Sequence, residues 1–367
     1  MTYPRLLEPA ALGKIQLRNR SLVAPMTRIS AQQDGTVGPL MPAYYTAFGQ
    51  GGFGAVITEG VYTDQHFSQG YQYQPGITDA AQADSWASLI TSVKATGAKV
   101  IMQLMHAGAL SQYNRFASDT RGPSAIAPKG TQMTFYRGVG AYPTPLEMTP
   151  AEIEAAIDGF VQSAVRAQEA GADGVEVHGA NGYLLDQFLT DYANQRSDQY
   201  GKGVQGRIQL TCEVIQRVRE AVGKEFTVGV RISQGKVNDF DHKWQGKEAD
   251  AKVIFGAVEA SGADYIHTTE FEASAPAFGA GKSLAALAKE TTNLPIIANG
   301  SLGNPEQTER LIAQGQFDFA AIGKDALASP DWADRIKHGH DRKAFDFAMF
   351  SPLADLQSAN DYLLADV

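Results

Sequence analysis

The sequence predicts a (β/α)8 barrel. Eight short runs rich in β-branched residues recur along the 367-residue chain, each followed by a longer stretch with helical spacing. The runs are apolar on both faces, as in a parallel sheet covered by helices. An open doubly wound sheet would also alternate, but it would carry a glycine-rich phosphate turn between an early strand and its helix. GQGGFG (49–54) matches that pattern on paper, yet it precedes a strand.

Residues 1–19 come before the barrel, and LLEPAALGKIQLRN within them reads as a small hairpin closing its bottom. The strand candidates are SLVAPM (21–26), GAVITEG (54–60), KVIMQL (99–104), DGVEVH (173–178), FTVGVR (226–231), DYIHTT (264–269), PIIANG (295–300) and FDFAAIG (317–323). Helices are expected near 39–49, 79–96, 150–170, 204–222, 248–261, 282–291, 304–314 and 329–338. The third has the clearest signals: Thr149 as N-cap, Pro150 at the first position, Glu152 completing a capping box and Gly171 closing the end. Residues 105–148 form a long insertion after the third strand, where βα loops lie over the active face. No linker or short repeat interrupts the chain, so residues 1–367 are expected to be one domain.

Composition narrows the function. With 44% hydrophobic residues the chain can bury a large core. The formal charge is −9, and the 31 Lys and Arg are scattered, which argues against nucleic acid or an anionic membrane as partner. Small-molecule chemistry is expected. The single cysteine, Cys212, excludes an internal disulfide and suits a reducing cytoplasm. The N-terminal stretch lacks a leader pattern, and no run reaches the roughly 18 apolar residues of a spanning helix. A monomer or homodimer is expected.

Catalytic groups of such barrels come from the C-terminal ends of the strands. Those ends are Pro25-Met26-Thr27, Glu59-Gly60, Gln103, His178, Arg231, Thr268-Thr269, Asn299-Gly300 and Gly323-Lys324. A polar residue where a strand leaves the core is ordinary, but a histidine and an arginine in one barrel mouth would be costly unless they faced a ligand or each other. Metal chemistry is disfavoured, because the first strand lacks a His-x-His pair and only His178 and His267 of the seven histidines fall in strand runs. No metal is expected. Lys324, the one lysine placed for Schiff-base chemistry, sits in the eighth strand's glycine turn, where barrels frequently hold a phosphate.

Flavin mononucleotide (FMN) makes chemical sense of the set. The Asn299-Gly300-Ser301 and Gly323-Lys324 turns offer N–H groups and charge for its phosphate. Arg231 would oppose the negative charge that reduction leaves on the pyrimidine edge, Gln103 matches that edge with a donor and an acceptor, and Thr27 can place a hydroxyl near the reactive centre. Pro25, Met26 and Gly60 would complete the cofactor wall.

The chain resembles the Old Yellow Enzyme family of FMN-dependent ene-reductases. The likeness runs through RNRSLVAPMTR (18–28), GGFGAVITEG (51–60), QLMHAG (103–108), HGANGYLLDQFL (178–189), VRIS (230–233) and AIGKDALASPDW (321–332). It implies that His178 and Asn181 hold the carbonyl or nitro oxygen of an enone, enal or nitroalkene, that FMN reduced by NADPH or NADH delivers hydride to the β-carbon, and that Tyr183 protonates the α-carbon. It also implies that Thr27 tunes the flavin potential. Lys324 replaces the family's usual arginine, keeping charge but not the forked geometry. Two alternatives remain open: a flavin-dependent barrel oxidase or demethylase that does not use Tyr183 as an acid, and a flavin binder with little turnover.

Overall fold

The computed structural model describes residues 2–365. Eight parallel strands close on themselves: β1 (Ser21–Val23), β2 (Ala55–Ile57), β3 (Lys99–Met105), β4 (Gly174–Asn181), β5 (Thr227–Lys236), β6 (Tyr265–Thr269), β7 (Ile296–Asn299) and β8 (Phe319–Ile322). Each pairs with the next, and Ala320 of β8 lies opposite Ser21 of β1, which shuts the ring. The expected barrel is therefore present.

The helices between them are α1 (Met41–Gln50), α2 (Ala80–Lys94), α3 (Pro150–Glu169), α4 (Gln209–Val222), α5 (Glu248–Ala260), α6 (Leu284–Thr291), α7 (Pro305–Ala313) and α8 (Trp332–His338). They bury their apolar stripes against the outer face of the strands in one continuous core. The capping box of α3 forms as its sequence dictates: the Thr149 side chain accepts from the Glu152 amide while Glu152 accepts from the Thr149 amide.

Strands of Ala10–Leu12 and Ile15–Leu17 make the N-terminal hairpin. Leu12, Ile15 and Leu17 pack onto Leu22, Ile101, Tyr265, Ile297 and Phe319 inside the barrel, so the hairpin seals the lower end of the inner core. The Lys14 amide donates to Thr227 Oγ1 at 3.0 Å and ties the hairpin to β5.

Three elements depart furthest from the sequence reading. The helix expected over 204–222 breaks into a turn, Val204–Arg207, followed by α4; Arg207 leaves the helical face to donate to the Leu189 carbonyl at 2.9 Å. The strands expected to end at His178 and Arg231 continue to Asn181 and Lys236, because β4 and β5 pair with each other beyond the barrel rim. That pairing is tertiary, and local composition does not announce it.

Candidate active site

Side chains alternate along a strand, so residues two apart share a face. In this barrel the period puts Gln103, Glu176, His178, Arg231, His267, Thr269 and Asn299 inside, and the register sets Gln103 beside Glu176, and Arg231 between His178 and His267. Gly229, two residues before Arg231, leaves room for a neighbour: a Cβ there would fall 2.0 Å from the Tyr265 ring.

A polar network fills the upper barrel. Glu176, fully buried, accepts from Gln103 Nε2 at 2.8 Å, from the Tyr265 hydroxyl at 3.1 Å and from His267 Nδ1 at 2.9 Å. Burial alone would push its carboxyl up, but His267, Arg231 and Gln103 outweigh that and hold it below the usual range. Glu176 is thus the buried anion that balances Arg231. His267 is kept neutral by burial, with its Nδ1 proton directed at the carboxylate. Arg231 Nη2 donates to Asn299 Oδ1 at 2.7 Å and to Thr269 Oγ1 at 3.2 Å. Its own value is lowered to about 10 by burial, which leaves it charged at neutral pH.

The HGANGY stretch (178–183) folds as a turn at the rim. Asn181 and Gly182 both have positive φ, +62° and +89°, a left-handed pair that asparagine tolerates and glycine favours. Past them Tyr183 begins the helix Leu184–Leu189. The turn brings the Tyr183 ring to 5.1 Å from the His178 ring. The Tyr183 and Tyr71 hydroxyls are 2.5 Å apart. Burial raises both phenols well above their ordinary value, so both stay protonated. Burial, followed by the nearby Arg231 charge, depresses His178 to about 3. Its Nδ1 is buried without a partner, as are Arg231 Nε and His267 Nε2. Native interiors rarely leave such atoms unmet, and three of them on adjacent strands mark a place built for a polar ligand.

Most of the expected residues converge on this mouth, and several are arranged in ways the sequence did not foretell. Gln103 does not present both ends of its amide: the donor is taken by Glu176, which leaves Oε1 as the free end, beside Gly60. Asn299 spends its side chain on Arg231 and on the Ala321 carbonyl rather than on the adjoining turn. Lys324 Nζ rests over the rings of Phe347 and Phe271, at 4.9 and 5.9 Å. Thr27 accepts, through its carbonyl, from the hydroxyl of Tyr136 at 3.2 Å, so the insertion reaches across the mouth to β1's loop. Ser301 Oγ donates to the Phe271 carbonyl. Asn194, Arg196 and Asp198 form a brace: Arg196 donates to Asp198, the Pro123 carbonyl and the Met148 carbonyl, and the Arg196 amide donates to Asn194 Oδ1.

Sequence reasoning missed Glu176, His267 and Tyr71 as members of the site. The first two were findable, since each sits two residues from another inward polar position on its strand. Tyr71 lies in an irregular loop and carried no such signal. Among the described residues, no cluster of His, Cys, Asp and Glu could hold a metal, and no helix is long and apolar enough to cross a membrane.

Fold and site together define a barrel oxidoreductase of the flavin type. Residues 5–343 match the model of the NADH:flavin oxidoreductase / NADH oxidase family, and the chain belongs to that family. Similar proteins include an NADH oxidase of Thermoanaerobacter brockii, 32% identical over 92% of this chain, which spans about half, 51%, of that relative's length. A probable flavin mononucleotide-dependent alkene reductase of Leishmania infantum is 30% identical over 97% of this chain and 96% of its own. Among solved structures, the Old Yellow Enzyme from Trypanosoma cruzi superposes with a TM-score of 0.87 at 28% identity, covering 99% of each chain. The resemblance to Old Yellow Enzymes read from the motifs therefore holds, and FMN is the cofactor. The donor set fits it: an unpartnered, charged guanidinium Nε and a free amide oxygen complement a pyrimidine edge that carries both acceptor and N–H groups.

Proposed function

We propose that this barrel is an FMN-dependent, NAD(P)H-driven reductase of the C=C bond in α,β-unsaturated carbonyl or nitro compounds. The observation that carries the reading is the rim of β4, where a neutral histidine, an asparagine on a left-handed turn and a protonated tyrosine come from one continuous stretch. Bound FMN supplies hydride taken from the nicotinamide. The residues do the rest. His178, held neutral, and Asn181 donate hydrogen bonds to the substrate oxygen and draw electron density from the double bond. Tyr183 keeps its proton until the α-carbon needs one, and Tyr71 is placed to bond the phenolate that results.

Arg231 and Gln103 would meet the pyrimidine edge, Pro25, Met26, Thr27 and Gly60 would line the ring system, and the Asn299-Gly300-Ser301 and Gly323-Lys324 turns would take the phosphate. Residues 1–367 would act as one unit, with the 105–148 insertion shaping the entrance. The substrates would be small enones, enals and nitroalkenes met in the cytoplasm. The Leishmania relative, named as a probable flavin mononucleotide-dependent alkene reductase and matched over 96% of its length, supports this choice over an oxidase or demethylase.

The test follows the flavin colour under anaerobic conditions. NADPH should bleach the FMN-loaded protein and cyclohexenone should restore it. The Tyr183→Phe variant should bleach normally and recover roughly 100-fold or more slowly, the usual scale of general-acid catalysis. A reduced protein that no activated alkene re-oxidises would overturn the proposal.

A further inference from the structure

Strand β5 does not stop where its site residue, Arg231, ends its task. It continues past Ile232, bulges, and resumes pairing with Lys236 opposite Asn181. The bulge aims Ser233 Oγ at the catalytic turn, where it accepts from the Asn181 amide at 2.8 Å and donates to the Gly235 carbonyl at 2.7 Å. The Val237 amide donates to the Asn181 carbonyl at 3.1 Å. Both backbone groups of Asn181 are therefore held by the β5 extension.

Lys236 completes the hold from the other side. Its Nζ donates to both oxygens of Asp186, at 2.9 Å each, and to the Gln234 carbonyl at 3.2 Å. The two side chains are 2% and 0% exposed. Asp186 Oδ2 in turn accepts from the Gly182 amide at 2.6 Å. Burying an ammonium and a carboxylate is expensive, and apolar residues of the same volume are often as good for stability. What the pair adds is direction: it fixes the acceptor for the one amide that lies between Asn181 and Tyr183. A left-handed asparagine followed by a left-handed glycine has little intrinsic preference for one orientation, so an external hold is needed.

We infer that Lys236, acting with Asp186 and Ser233, is a positioning residue: it clamps the Asn181-Gly182-Tyr183 turn so that the amide and the phenol face the same substrate. The inference rests on the function proposed for that turn, but the clamp itself is measurable without it.

The experiment uses the full FMN-loaded chain and two variants, Lys236→Met and Ser233→Ala. Hydrogen–deuterium exchange over residues 178–189 reports the clamp, and the ratio of cyclohexenone reduction to dioxygen reduction, both driven by NADPH, reports its purpose. Dioxygen accepts electrons from a reduced flavin without needing the Asn181 amide or the Tyr183 phenol, so a general loosening of the barrel would slow both reactions while a misplaced turn lowers the ratio. Both variants should retain about one FMN per chain, exchange at least tenfold faster in that segment, and show a ratio at least tenfold lower. Unchanged exchange, or a wild-type ratio in either folded variant, overturns the inference. If Lys236→Met fails to fold, Ser233→Ala decides alone. A wild-type protein that reduces dioxygen but no enone overturns the alkene reading, and the exchange result still decides whether the clamp exists.

Discussion

In the reaction we propose, Tyr183 acts as an acid only if losing its proton leaves a tolerable anion in a buried place. The 2.5 Å contact with Tyr71 is the local means. Tyr71 is itself raised by burial and stays protonated, so it can donate once Tyr183 becomes an acceptor. A hydrogen bond to a charged group is worth about 1.5–3 kcal/mol, which corresponds to a rate change of roughly 10- to 100-fold. Tyr71→Phe should slow re-oxidation by cyclohexenone by that factor while leaving NADPH bleaching as it was. Equal slowing of both half-reactions would mean that Tyr71 shapes the cavity rather than the acid. Tyr71 was invisible in the sequence because its loop has no periodicity, whereas the His178 motif was legible through its family resemblance.

At the scale of elements, the strands deliver the site and the helices hold the strands. Gln103, Glu176, Arg231 and His267 reach one another because β3 to β6 are in register, and a slip of one residue would send each side chain to the opposite face. The helix α3 leads directly into β4, and its start rests on a closed capping box whose Glu152 also takes the Arg121 guanidinium at 2.6 Å. Thr149→Ala removes the acceptor for the Glu152 amide and should lower stability by about 1 kcal/mol, read by urea denaturation, with no change in FMN content. A loss of FMN in that variant would show that the cap also sets β4. Helix ends such as this one were readable because caps are local; the extensions of β4 and β5 were not, because each exists only through the other.

For the whole molecule, the burial that tunes the site also sets how stability responds to acid. His178 falls from an ordinary value of 6.5 to about 3. Its contribution is fully present above pH 6.5 and is lost as the pH falls toward 3. His106 and His267, also lowered by burial, act in the same direction. Glu59 acts in the opposite direction: burial raises it to about 7 from 4.5, so its contribution is greatest below 4.5 and fades as the pH rises to 7. The variant His178→Asn isolates one member. Between pH 6.5 and 5 the wild type should lose about 1.6 kcal/mol more than the variant, because the slope climbs from half of its limit of roughly 1.4 kcal/mol per pH unit as the unfolded imidazole takes up its proton. Equal losses in denaturation at the two pH values would show that the folded imidazole titrates normally.

The sequence by itself determined the barrel and the hairpin beneath it, because a period of two in short apolar runs and a period of 3.6 between them are properties of neighbouring residues. It also placed His178, Asn181 and Tyr183 on one short stretch of chain, whose orientation the β5 extension then fixes. Only the tertiary structure decided that Glu176 balances Arg231, that Gln103 has one free end, that Tyr71 stands against Tyr183 and that Lys236 reaches Asp186. Each of these joins residues far apart in the chain, and which buried polar group finds which partner is settled by strand register and loop packing.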